Sequence, residues 1–139
     1  MSYEERGQWV YLVANVLTFG AYVAIVLGQA VNRALAEVDY VPTMLWAIGV
    51  AIALSIGGRI LVEIAKPSDE QIEDVRDRDI GRVGEYIGGT VLGIAMVVPF
   101  VLTLAGFDHF WIANAMYVAF ALSSLIGTAV KVVAYRRGL

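Results

Sequence analysis

Few side chains in this 139-residue chain could do chemistry, and three of the charged ones lie where an ion is costly. Arg59 and Glu63 stand one helical turn apart inside an apolar stretch, and Lys131 lies at a similar depth in another. An ion within a membrane span is a functional candidate by default. By helical rise, Arg59 falls about 9 Å before the end of its stretch, with Glu63 as a ready partner and Lys131 placed to complete a cluster. The competing account is an arginine that reaches lipid phosphates, with Glu63 merely its neighbour.

Two further constellations invite chemistry. Asp108, His109 and Asn114 open the last apolar stretch; His109 beside Asp108 could sense protons at the outer face, while the plainer account has Asp108 capping a helix and His109 at the surface. Six carboxylates lie between Asp69 and Asp79. Asp77-Arg78-Asp79-Ile80-Gly81 lacks the remaining ligands of a calcium loop and puts arginine where an oxygen is needed. Asp74 with Arg78, and Arg82 with Glu85, stand at helical spacings that give weak surface pairs. The segment therefore reads as a solvated face, and Asp74, Asp77, Arg78, Arg82 and Glu85 form the candidate surface for a protein partner. With no cysteine and one histidine, neither a metal site nor a cofactor is expected. No nucleophile and base converge, so no enzyme is expected. A net charge of −3 gives no general case for nucleic acid.

The elements that position these residues follow from composition. Apolar residues make up 59% of the chain, charged residues 17%, and the mean hydropathy is +0.71, which is membrane composition. Four apolar stretches reach the roughly 20 residues a span requires, at about 9–31, 43–65, 86–104 and 112–135. The expected fold is an all-α integral membrane protein forming one domain over 1–139. Glu4 and Glu5 replace the basic start of a signal peptide, so the first span should be retained. With the N-terminus inside, Arg6, Arg59, Lys66, Arg76, Arg78, Arg82, Lys131, Arg136 and Arg137 are cytoplasmic and only Arg33 is outside. That asymmetry predicts both termini in the cytoplasm of a plasma-membrane protein. Trp9, Tyr11, Tyr40, Trp46 and Trp111 fit the two interfacial belts.

Connection 66–85 reads as an amphipathic cytoplasmic helix leading into the third span. Ser68 and Gln71 suggest a capping box, Asp69 and Glu70 suit a first turn, and Gly81 and Gly84 allow a bend at the membrane surface. Pro42 suits the start of the second span. Pro99 should free the Ala95 carbonyl and kink the third. Rows of small residues predict close helix contacts, within the chain or in a homo-oligomer: Gly20, Ala24 and Gly28; Ala47, Ala51 and Ser55; Gly89 and Gly93; Ala115, Ala119, Ser123 and Gly127. Asn15, Thr18, Thr90, Asn114, Ser55, Ser123 and Ser124 are expected to bond across helices. Spans two and four are weakly alike in two registers, which leaves open a duplicated hairpin.

The run Asp77-Arg78-Asp79-Ile80-Gly81-Arg82-Val83-Gly84-Glu85-Tyr86, the segment from Asp108 through His109, Phe110 and Trp111 to Asn114, and the tail from Val130 to Gly138 resemble a group of small bacterial four-span proteins of unknown function. The resemblance covers nearly the whole chain and implies a plain four-helix protein of the bacterial inner membrane, with no catalytic residue to carry over. Small multidrug exporters, similar in size, need a carboxylate near the middle of their first span, and 9–31 contains no acid. An interaction or regulatory protein is thus the first expectation. The alternative is a small oligomeric transporter or channel using Arg59, Glu63 and Lys131.

Overall fold

The structure is a computed structural model that describes residues 3–65 and 75–138. The expectations for Lys66, Ser68, Asp69, Glu70, Gln71 and Asp74 lie outside the described residues. Within them every regular element is helical: α1 (Tyr3–Gln29), α2 (Val41–Ala65), α3 (Val75–Ala95), α4 (Val97–Leu104) and α5 (His109–Arg137), with two 3-10 turns at Ala30–Asn32 and Leu35–Glu37. Four helical stretches, with α3 and α4 counted as one, are long and apolar enough to cross a membrane.

The helices begin earlier than the apolar runs alone indicate. α1 starts at Tyr3 rather than near Trp9, with Glu4 and Glu5 in its first turn, where carboxylates oppose the positive helix end. α3 is already helical at Val75, within the charged connection, and continues without interruption through Gly81 and Gly84. The helix is not broken there: Gly84 meets α5, while Gly81 has no other group near its Cβ position. Pro42 occupies the first turn of α2. The break in the third span falls where Pro99 requires it: α3 ends at Ala95, Met96 is a turn residue, and α4 resumes at Val97. Proline has no N–H for the Ala95 carbonyl, and its ring is fully buried.

α1 packs against α2 and α5, and α5 packs in turn against α3 and α4. Burial follows this order. α1 buries Ala14, Thr18, Tyr22 and Val26, a stripe with the four-residue spacing of one helix face. α5 buries Phe110, Ala119, Ala121, Gly127, Thr128 and Val132, whereas α2 buries no residue. Large apolar side chains are turned outward throughout, among them Trp46 (75% exposed), Leu104 (73%) and Ile64 (71%). This inverts the soluble pattern, in which contiguous apolar surface of such extent is rare.

We call the end holding both described termini basal and the opposite end apical. The apical end is closed by Tyr22, Val26, Val38 and Phe110. Val38, only 3% exposed, is carried there by the α1–α2 connection. Rings meet edge to face in the pairs Tyr22–Tyr117, Phe19–Tyr117 and Tyr40–Phe110, a favoured quadrupolar arrangement. The α4–α5 turn uses Gly106 at φ +72°, the left-handed conformation that glycine adopts without penalty after a helix.

Candidate functional site

The basal end concentrates the charged side chains. The first turns of α1 tie two neighbours together. Glu4 accepts from the Arg59 guanidinium of α2 at 2.9 Å, and Glu5 pairs with Arg136 of α5 at 3.3 Å. The Arg136 guanidinium also lies over the Trp9 ring, 5.7 Å from its centre, within cation–π range. Arg59 reaches Glu4 by lying across Gly7, where an added Cβ would stand 3.7 Å from the guanidinium. One turn further, Gly58 faces Val10 so closely that a Cβ would come within 2.7 Å of its methyl group.

The expected cluster of Arg59, Glu63 and Lys131 is therefore divided. Arg59 and Glu63 line one groove of about 340 Å³ together with Tyr11, Ile56, Ile60 and Ile64. Lys131 belongs to another, between α3 and α5, where its ammonium stands 3.6 Å from Glu85. The reason is packing order: α1 and α5 stand between α2 and α3. Glu4, Glu5, Arg136 and Trp9 complete the basal charge system. Two glutamates beginning a helix were the signal for them, since a helix that starts at Tyr3 carries both into the packed layer.

The α3–α5 seam brings two backbones close together. Gly88 and Gly127 face each other, and Cβ atoms built on them would lie 3.1 Å from the Ser123 carbonyl and 3.0 Å from the Gly84 carbonyl respectively. A Cβ at Gly84 would overlap the Lys131 stem. The Ser123 hydroxyl donates to the Gly88 carbonyl at 2.8 Å. Of the expected small-residue rows, that of α5 contributes to this seam through Ser123 and Gly127. The row in α2, Ala47, Ala51 and Ser55, lies on that helix's partly covered face and leads to Arg59 and Glu63. Two rows make no contact within the chain. Gly20, Gly28, Gly89 and Gly93 have no other group near the Cβ position, and the α3 contact is made by Gly84 and Gly88, one residue round the helix.

Polar groups within the helices also sort differently from expectation. Asn15, Thr18 and Thr90 donate to the carbonyl four residues back in their own helix, at 2.9, 2.7 and 2.8 Å, the nearest acceptor a short side chain meets. Asn114 bridges helices: its amide donates to the Phe110 carbonyl at 2.8 Å and its side-chain oxygen accepts from the Tyr22 hydroxyl. That turns Asn114 toward α1, while Asp108 and His109 are exposed. Asp108 holds the N-cap position but makes no side-chain cap bond; its carbonyl accepts from Trp111 at 3.0 Å.

On the candidate partner surface, Arg78, Arg82 and Glu85 are exposed and Asp77 is half-buried. The opposite side of the same helix buries Ile80, Gly84 and Gly88. No group of three or more potential metal-ligating His, Asp or Glu side chains occurs among the described residues. No known protein family, curated protein or solved structure matches the chain.

Proposed function

We propose that this is a multi-pass protein of the plasma membrane, the inner membrane of a bacterial cell. Both termini and the basal charges are cytoplasmic, and it acts as an interaction or regulatory protein. The observation that carries this reading is the continuity of α3. One helix buries Ile80, Gly84 and Gly88 against α5 while holding Arg78, Arg82 and Glu85 outward at its basal end. Charges carried on a packed helix are pre-ordered, so a cytoplasmic partner would bind without the cost of ordering a loop. The lysine and arginine distribution supports the orientation. The unoccupied rows of Gly20 with Gly28, and Gly89 with Gly93, are available to a second copy of the chain.

The test is site-specific photocrosslinking in intact cells. A probe at Arg82 should give a discrete protein adduct that the charge reversal Glu85→Lys removes without lowering the amount of protein in the membrane. Adducts indistinguishable from those of a probe at Val97 would contradict a basal partner surface.

A transport reading draws on one observation, the groove shared by Arg59 and Glu63. It loses Lys131, which belongs to the α3–α5 seam. Ion flux through proteoliposomes that Glu63→Gln abolishes would favour transport over interaction.

A further inference from the structure

A second groove runs along the other flank of the α1–α2 pair. It has a volume of about 440 Å³ and is lined by Arg6, Trp9, Val13 and Leu17 of α1 with Leu54 and Val62 of α2, among others. Arg6 is the only charged residue in this lining, and it stands at the basal rim; every other side chain there except Trp9 is aliphatic. From Arg6 to Leu17 the helix rises about 16 Å, close to half of the roughly 30 Å hydrocarbon thickness of a bilayer. The groove thus has the length of one leaflet, with a cation at headgroup level and aliphatic walls reaching toward the midplane. Trp9, one turn inside the rim, has a buried indole N–H with no acceptor among the described residues. A tilt of the ring toward the groove would present that donor to an ester or phosphate oxygen.

We propose that this groove is a site for an anionic phospholipid, its phosphate on Arg6 and one acyl chain laid along Val13 and Leu17 against Leu54 and Val62. The site rests on membrane insertion of the four helices. Charge selects the ligand: a guanidinium forms paired, charge-assisted bonds to phosphate, and a headgroup lacking a compensating ammonium keeps that attraction undiminished. Length selects the source, since a soluble phosphate would leave the aliphatic part of the groove unfilled.

The test is fluorescence quenching by lipids brominated on the acyl chain, in phosphatidylcholine vesicles containing a minor fraction of brominated phosphatidylglycerol or brominated phosphatidylcholine. One protein keeps Trp9 alone, through Trp46→Phe and Trp111→Phe; another keeps Trp46 alone. Trp46 should be quenched equally by both lipids, and Trp9 several-fold more by the brominated phosphatidylglycerol. Arg6→Gln should remove that preference. Equal quenching of Trp9 by the two lipids, or a preference that survives Arg6→Gln, would overturn the site while leaving insertion intact. Loss of the preference on adding glycerol phosphate would assign the site to a soluble phosphate instead. Absence of quenching at Trp46 by either lipid would overturn insertion, and the lipid site with it.

Discussion

The bond from the Tyr22 hydroxyl to Asn114 joins α1 to α5 through two polar groups embedded in apolar helices. Such interhelical bonds contribute about 0.6–2 kcal/mol. Tyr22→Phe keeps the ring contact with Tyr117, so it should lose only that amount, read as a lower unfolding midpoint in detergent. Asn114→Ala should cost a similar amount, and the double variant little more than either. Thr18→Ala, which removes a bond within one helix, should be nearly neutral. Asn114 was legible as an unusual polar residue, but Tyr22 was not, because a tyrosine in an apolar run looks like any other aromatic until its hydroxyl is placed.

The ionic residues obey the same logic. Arg59 and Glu4 retain 32% and 26% side-chain exposure, so their attraction is partly screened and amounts to about 1 kcal/mol or less. Arg59→Ala and Glu4→Gln should therefore be non-additive by about that much in a double-mutant cycle in lipid nanodiscs. Strict additivity would place Arg59 at the interface alone. The ion in span two could be read from sequence. Its partner, 55 positions away, could not, since it depends on where α1 begins and on which helix α2 packs.

Among the elements, the α3–α5 seam bears the tightest steric demand. A leucine at Gly88 must displace the Ser123 carbonyl region and the Gly127 backbone, so Gly88→Leu should destabilise by about 1–3 kcal/mol or more. The same change at Gly93 meets open space within the chain. It should leave the unfolding midpoint of the monomer unchanged or raised, because leucine is about 1 kcal/mol better than glycine inside a helix. Equal losses at the two positions would disprove the seam. Sequence spacing located small residues in every span but could not choose between Gly88 and Gly89, which differ by one step of about 100° round the helix. The rotation of α3 is settled only by α5. The break before Pro99, by contrast, was fully legible, because its cause is covalent.

At the scale of the whole molecule, the four long helices are not equivalent. α1 and α5 share the buried contacts, α2 covers one side of α1, and α3 the other side of α5. The duplicated-hairpin idea pairs α2 with α5, yet α2 buries no residue while α5 buries six. Large apolar side chains turned outward on every helix support the proposed apolar surrounding, and the basal clustering of arginine and lysine supports the proposed direction across it.

The central claim is that this direction is cytoplasmic at the basal end. The chain has no cysteine, so single cysteines can be introduced without a background. Ala36→Cys, exposed in the apical connection, should react with a membrane-impermeant maleimide in intact cells. Asp79→Cys, exposed at the basal end of α3, should react only after the membrane is permeabilised. Labelling of Asp79→Cys in intact cells while Ala36→Cys stays protected would contradict the account.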